Sequence, residues 1–498
     1  MGIIYIFILI LLASAFEPRY VVILLVLNLI VGLFLSAFQI VIALIPNSKP
    51  KRRPLEREPF VSIFIPSYNE PPAILIQTID ALSRLDYRNY EVLVIDNNTR
   101  SEKVWKPVEA YMETKNKKFH FFHVGHLSGF KAGALNYLMD EMNEKAEHIA
   151  VIDADYLVEP DFLKVAMPYF SEDRIALVQF PQKYRNRTKG NQPIADEYRH
   201  FFEIYMNMAN NLDCVPSTGT VSVYNLAALK SVGGFRGDAL TEDADVGLRL
   251  YGAGYRGVYV EHQVGFGLMP YDLESYRKQK WRWAFGNAQS LKKLFLLFGK
   301  MPFKSWIGFL SHLTAWHHFH FLPFAALAAF PVLLHPDIPI TDYHRQILFF
   351  ASLSILATIA AKMVLFLVTM RKQNDFFGRA VRAFVVHMGL TMVYSEALVS
   401  FIFREKFAFA RTNKFILRKV PSLVKNTYVE FLLGTWFLMG AILALYWERP
   451  IVIVAFLISA GALFSIYYVD RKLAPTKEFS KKILEKAEEE YEKYLPAK

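Results

Sequence analysis

"HIAVIDAD" (His148–Asp155) sets four apolar residues, Ile149–Ile152, between a histidine and two carboxylates one residue apart. A run this short, β-branched and closed by polar residues reads as a buried strand ending at Asp153 and Asp155. Similar runs lie on either side of it: "VSIFIPSY" (61–68), "EVLVIDN" (91–97) and "FHFFHV" (119–124) before, "IALVQFP" (175–181), "GTVSVY" (219–224) and "RGVYVEH" (256–262) after. Helical patterns fall between them at Ala73–Leu85, Gly129–Asn143 and Pro160–Phe170. Strands alternating with helices predict an α/β unit with a mostly parallel sheet covered on both faces. Ligands of such sheets bind at the carboxyl ends of the strands, where Asp96, Asp153 and Asp155 fall.

The α/β pattern covers only about half of the 498 residues. Hydrophobic residues make up 53%, aromatics 15%, and mean hydropathy is positive, yet charged residues reach 21%. That mixture excludes both a purely soluble protein and a bare helix bundle, and predicts one soluble domain plus several membrane spans. A net charge of +11 suits an anionic membrane surface or a phosphorylated substrate. The basic residues cluster beside apolar segments and no nucleic-acid motif is present, so nucleic acid is excluded as a partner. The single cysteine, Cys214, permits no intrachain disulfide and fits a domain in the reducing cytosol, where it reads as a small core residue.

Two apolar segments open the chain, Gly2–Phe16 and Val21–Ile45, separated by "EPRY". "ASA" at the end of the first resembles a signal-peptidase site, but no basic residue precedes it, so a helical hairpin over 1–46 is expected. The basic stretch "NSKPKRRPLERE" (47–58) then places the soluble domain, 55–300, in the cytoplasm. Further spans are predicted near Trp306–Leu334, Ile347–Met370, Val429–Tyr446 and Ile451–Val469. Ala380–Phe403 carries Arg382, His387 and Glu396; a single crossing there would put Arg404 through Lys425 outside, so it reads as interfacial or re-entrant. The expectation is about six spans over 1–46 and 301–470, both termini cytoplasmic, in a cell membrane. The tail from 471 to 498, rich in Glu/Lys pairs, reads as a solvated helix.

Several short motifs carry chemistry. Strand alternation would aim Asp153 and Asp155 to one side, where they can share a hard divalent cation with a diphosphate; a polar strand terminus is the plain alternative. The "PSYNEP" turn (66–71), with Tyr68 and Glu70, and Asp96 of "VIDNNT" can line a base pocket or simply form turns. "SGFKAGALN" (128–136) puts Lys131 and two glycines at a helix start, a cradle for phosphate or an ordinary cap. In "LTEDADVGLRL" (240–250) Thr241 is the expected N-cap, with Glu242 and Asp243 in the first turn as general-base candidates or dipole partners. "KQKWRWAFG" (278–286) offers Gln279, Arg282 and Trp283, suited to a sugar ring and a diphosphate or to an aromatic belt. His312, His317, His318 and His320 have no carboxylate or cysteine nearby and read as part of an interfacial helix.

Taken in order, Asp96, Asp153-x-Asp155, Thr241-Glu242-Asp243 and Gln279-x-x-Arg282-Trp283 resemble the signature of membrane-embedded processive family 2 glycosyltransferases, the group of cellulose and hyaluronan synthases. The resemblance covers Val61–Asn287. It implies a Rossmann-like GT-A domain inserted between transmembrane helices, a UDP-sugar donor, a growing glycan acceptor and Mg²⁺ or Mn²⁺. On the matching positions it implies that Asp96 contacts the uridine, with Tyr68 and Glu70 beside it, and that Lys131 meets the diphosphate. Asp153 and Asp155 take donor and metal, Asp243 beside Glu242 acts as base, Arg282 steadies the leaving diphosphate, and Trp283 with Gln279 holds the acceptor. Asn97 stands where many members carry a second aspartate.

"FARTNK" (Phe409, Thr412, Lys414) resembles the gating loop of cellulose-synthase-like enzymes, within 404–420, with Arg411 where that loop has valine. "GFKAGALN", "VIDADY", "VQFPQKYR" and "GFGLMP" are more similar to bacterial β-(1→3)-glucan synthases than to cellulose synthases. One base and no second nucleophile imply a single, inverting displacement, so an α-linked donor yields a β-linkage. The expected function is a β-glucan synthase that also moves its product across the membrane. A single-transfer glycolipid synthase, which shares QxxRW, and a transporter with a large cytosolic domain are the alternatives.

Overall fold

All seven apolar runs are strands of one sheet in the computed structural model, which describes residues 2–172, 174–316, 321–334, 342–403 and 423–496. In chain order the strands are β1 (Val61–Ser67), β2 (Tyr90–Asn97), β3 (Phe119–Val124), β4 (His148–Val151), β5 (Leu157–Val158), β6 (Ile175–Gln179), β7 (Ser222–Asn225), β8 (Arg256–Tyr259) and β9 (Gly265–Phe266). The sheet runs β3-β2-β1-β4-β7-β6-β8, and β5 pairs with β9 as a separate two-stranded flap. Alternation along each strand feeds two cores. Val61, Ile63, Val92 and Val94 pack under the helix Pro72–Ser83, while Phe64, Leu93, Ile149 and Val151 pack under the helix Phe130–Glu141.

The sheet is mostly parallel, as expected, with one strand reversed. β7 runs antiparallel to both β4 and β6. The chain leaves β6, makes a long helical excursion over Gln192–Leu212, and re-enters the sheet between β4 and β6 from the opposite side. The sheet is therefore mixed, and the ends of β1, β2 and β4 open on the same edge.

Among the described residues, four helices are long and apolar enough to cross a membrane: Pro18–Leu44, Asp342–Met370, Thr427–Tyr446 and Pro450–Glu490. Phe376–Met388 and Thr391–Ile402, bent by 41°, add a fifth if taken as one span. The six expected spans are thus not reached among the described residues. Gly2–Phe16 and Phe321–Leu334 are too short, since 15 and 14 residues rise only about 21–23 Å against a hydrocarbon core of about 30 Å. The predicted span Trp306–Leu334 is two helices, Phe303–Leu313 and Phe321–Leu334. The first buries Trp306, Phe309 and Leu313 against Cys214, Val215 and Tyr251 of the α/β domain. Ala380–Phe403 breaks near Gly389, a geometry shared by a broken span and a re-entrant segment. Along Pro18–Leu44, Leu24, Leu27, Val31 and Phe34 form an exposed apolar stripe of the kind that faces lipid.

The expected solvated tail also differs. Pro450–Glu490 is one continuous helix, and beyond Pro475 it docks on the α/β domain. Thr476 and Ser480 bond Asn191 and Asn186, Ala487 is buried, and the Tyr491 hydroxyl donates to Asp80 at 2.6 Å. The charged residues that suggested solvation occupy the opposite face.

Candidate active site

The edge where β1, β2 and β4 end opens into a cavity of about 590 Å³. Tyr68, Glu70, Lys131, Asp153 and Asp155 line it from the strand-end loops and the helix start. Glu242, Asp243, Gln279, Arg282 and Trp283 line it from the helices Glu242–Gly252 and Leu273–Leu296. Residues more than 200 positions apart thus meet in one space.

Three predicted residues are placed differently. Asp96 does not line the cavity; it is 2% exposed and sits one layer behind. Its register within the sheet, opposite Ser67 and His123, directs its carboxylate to those neighbours. Thr99 Oγ1 donates to it at 3.0 Å, and His123 Nδ1 lies 3.3 Å away. Asn97 and Asn98 line the cavity in its place. Asp153 and Asp155 share the cavity, but not through strand alternation: β4 stops at Val151, and the two carboxylates stand on the turn that follows. Thr412 and Lys414, with the rest of 404–420, lie outside the described residues, as do His317, His318 and His320.

Charge organises the cavity floor. Lys131 Nζ donates to Asp153 Oδ1 and to the Gly219 carbonyl, both at 2.7 Å, and lies 3.9 Å from Glu242 Oε1. Burial alone pulls the Lys131 ammonium down, but Asp153, Glu242 and Asp243 outweigh it and the net shift is upward. The Asp243 carboxyl is pushed up to about 7, first by burial and then by Glu242; Lys131, the Ala244 amide and Arg282 pull the other way. A carboxylate poised there is matched to taking a proton near neutral pH.

Close backbone contacts hold these groups together, and the sequence reading missed them. Gly219 (φ +78°) leaves room for Asp243, whose Oδ2 would lie 2.8 Å from a Cβ at that position. Gln179 is wholly buried: its amide donates to the Thr220 carbonyl at 3.0 Å and accepts from the Thr218 amide at 2.9 Å, fixing the Gly219 turn. The available signal was a glutamine inside "IALVQF", since a buried polar side chain must be there to bond something. Gln182 and Tyr184, which follow β6, also line the cavity.

Thr241 stands at the N-cap position but makes no capping bond, because Gly286 of the helix Leu273–Leu296 presses against it. A Cβ on Gly286 would lie 2.3 Å from Thr241 Oγ1 and 2.4 Å from Thr241 Cγ2. This contact sets Asp243 against Arg282 and Trp283. Gly286→Ala is expected to lower turnover about 10- to 100-fold while shifting Tm by only a few degrees, since small misplacements in a reacting geometry cost more than the overpacking itself. Steady-state rates beside thermal unfolding check this, and an unchanged rate would show that the contact positions nothing.

The lining also decides what cation the site accepts. Glu70, Asp153, Asp155, Glu242 and Asp243 face it against Lys131 and Arg282. Among the described residues no group of three or more His, Cys, Asp or Glu is arranged to hold a metal alone. Two carboxylates on one turn in an otherwise acidic cavity suit a hard divalent ion that takes its remaining ligands from phosphate and water. Asp153 and Asp155 are the residues that would hold it.

Comparison with known proteins agrees with this geometry. The family description "Glycosyl transferase family 2" matches residues 62–233, and "Glycosyl transferase family group 2" matches 148–395. The chain is 30% identical over 272 residues to the UDP-forming cellulose synthase catalytic subunit of Xanthomonas axonopodis pv. citri, covering 52% of this chain and 35% of that one. It is 29% identical over 259 residues to a probable glucomannan 4-beta-mannosyltransferase of Arabidopsis thaliana, covering 48% and 47%. It therefore spans only between a third and a half of the length of these two relatives. A mannosyltransferase from Pyrobaculum calidifontis, solved with GDP-Man and Mn²⁺, superposes with a TM-score of 0.54 at 19% identity over 78% of this chain and all of that one, which establishes the shared fold. The two family descriptions together run from residue 62 to residue 395, more than half of the chain and all of the cavity's catalytic lining: the chain belongs to the family 2 glycosyltransferases.

Proposed function

We propose that the protein is an inverting hexosyltransferase that extends a β-linked polysaccharide from a nucleoside-diphosphate sugar, glucose from UDP-glucose in the leading reading, and passes the product across the membrane. The observation that carries this is the meeting of Asp243, Lys131, Arg282 and Trp283 in one cavity at the edge of the sheet. The Asp243 carboxylate takes the proton of an acceptor hydroxyl as that oxygen bonds to the anomeric carbon. The bond from that carbon to the diphosphate oxygen breaks, and the nucleoside diphosphate leaves with the electron pair. Lys131 and Arg282 face the charge that develops on it. A divalent ion, when bound at Asp153 and Asp155, adds Lewis-acid stabilisation of the same diphosphate. Attack from the face opposite the leaving group turns an α-linked donor into a β-linkage.

Support for the acceptor side comes from a second, smaller cavity adjoining the first. Phe201, Phe202, Trp283, Phe309 and Trp316 line it together with Asp243, and apolar ring faces suit sugar faces. Its lining runs from Asp243 to Phe309, Leu313 and Trp316, so it joins the base to the apolar helix that follows the α/β domain. The apolar helices and the basic 47–58 segment support a membrane location with the catalytic domain on the cytoplasmic face. Thr412 and Lys414 are proposed to close over the bound donor from the 404–420 loop.

The test is to incubate purified protein and Mg²⁺ with radiolabelled UDP-glucose, UDP-N-acetylglucosamine and GDP-mannose in turn, then size and digest the product. The mannose donor belongs in the panel because one relative is named for mannosyl transfer. Long products early in the reaction are expected from one donor. A single sugar on a lipid would move the reading to a glycolipid synthase, and no nucleotide release from any donor would overturn it.

A further inference from the structure

Beneath Trp283 lies a charged pair that the chemistry above does not use. Lys280, wholly buried, donates from Nζ to Glu197 Oε2 at 2.6 Å, and Glu197 is itself 1% exposed. Four rings surround the ammonium: Tyr198 at 4.3 Å, Trp283 and Trp316 at 4.8 Å, and Tyr276 at 5.4 Å. The Tyr276 hydroxyl also donates to Glu197 Oε2 at 2.9 Å, and His387 Nδ1 lies 3.1 Å from Glu197 Oε1. Tyr198, one of the four rings, donates its hydroxyl to the Gln279 side chain. The pair thus touches both Trp283 and, through Tyr198, Gln279. It also ties the helix Gln192–Arg199 to Phe376–Met388, the first half of the bent helix pair, where Arg379 grips Asp196 through two guanidinium bonds.

A buried ion pair is rarely kept for stability, because well-packed apolar residues of similar size are as good or better. What it supplies is direction. An ammonium fixed by a carboxylate attracts each ring face at a set height, which apolar packing alone does not specify. Both cavities are lined by Trp283, so its tilt decides how a sugar ring can lie beside Asp243.

We propose that Glu197 and Lys280 are positioning residues for the glycan acceptor: the pair sets the Trp283 ring and the Gln279 amide, and through His387 it ties the acceptor site to the bent helix pair. The proposal rests on reading the cavity as a site of glycosyl transfer. Its reach is limited to the acceptor side, because neither residue lines the cavity where the donor groups stand.

The experiment uses the full chain in nanodiscs with Mg²⁺, the donor that the panel identifies, and soluble β-linked gluco- and manno-oligosaccharides as acceptor probes. K280M and the paired change K280M with E197L are compared with wild type for acceptor KM, kcat, UDP affinity by calorimetry, and Tm. K280M is expected to raise acceptor KM at least 10-fold, with kcat within about 3-fold and UDP affinity within about 2-fold. The paired change removes both buried charges, so Tm should return toward wild type while acceptor KM stays raised. If K280M fails to fold, the paired change decides the question alone. An acceptor KM that recovers together with Tm would make the pair merely structural and overturn the proposal, as would an equal loss of UDP affinity. Wild-type protein that transfers to none of the probes and makes no polymer would instead sink the glycosyl-transfer reading, so the two failures are distinguishable.

Discussion

Asp243→Asn should leave UDP binding within about 2-fold of wild type and lower turnover on the order of 10² to 10⁴, the usual cost of removing a general base. The substitution keeps the side chain's shape, so Gly219 still accommodates it. What disappears is a carboxylate whose proton affinity is tuned to about 7, by burial first and by Glu242 second. A base must be ionised to act, so the wild-type rate should rise with pH through about 7, with roughly a tenth of the maximum at pH 6. The residual rate of Asp243→Asn should lack that limb. Stability runs the other way. A carboxyl whose folded value lies above its unfolded one favours the folded state only while protonated. That contribution is fully present below the unfolded value and is lost as pH rises through about 7. Above pH 7, Asp243→Asn should therefore unfold no earlier than wild type. An inactive protein that is as stable as wild type, and that still binds UDP by calorimetry, is the expected result. Near-normal turnover, or a pH limb that survives in the variant, removes Asp243 from the role.

The contrast between what was legible and what was not follows from the range of each interaction. The strands were visible because a buried strand needs consecutive apolar residues, and all seven runs became strands. The reversal of β7 was not visible, because "GTVSVY" carries no mark of direction, and direction depends on a return path of some 40 residues. Asp243, Arg282 and Trp283 could be singled out because their motifs are local. Gly219 and Gly286 could not, because each glycine matters through a side chain far from it in sequence, Asp243 in one case and Thr241 in the other. Asp96 could be singled out as a strand-end carboxylate, but its register beside Ser67 and His123 could not be read from the sequence. The tail misled for a related reason. Its Glu/Lys pairs are visible in one dimension, whereas the thin apolar face of Ala487 and Tyr491 has meaning only beside Tyr111 and Asp80.

Chelation with EDTA should bring transfer down to background, and either Mg²⁺ or Mn²⁺ should restore it. The lining sets five carboxylates against one lysine and one arginine, so a diphosphate enters a space that already carries excess negative charge. Carboxylates beside a diphosphate repel it, and Lys131 offsets only part of that while it is engaged by Asp153. A divalent ion between Asp153, Asp155 and the diphosphate reverses that balance. UDP affinity should therefore fall on the order of 10-fold or more without metal, which calorimetry reads independently of turnover. Asp155 also has a structural bond, accepting from the Leu268 amide at 2.8 Å, so the variant to use is Asp155→Asn, which retains an acceptor there. It should fold, lose the metal-dependent part of UDP affinity, and stay inactive at any Mg²⁺ or Mn²⁺ concentration. Lys131→Met separates the two sources of positive charge. It should weaken UDP binding both with and without metal, because its ammonium acts on the diphosphate directly. Full activity in metal-free buffer, or an Asp155→Asn protein rescued by excess Mg²⁺, would remove Asp153 and Asp155 from metal binding and leave the acidic lining to be balanced some other way.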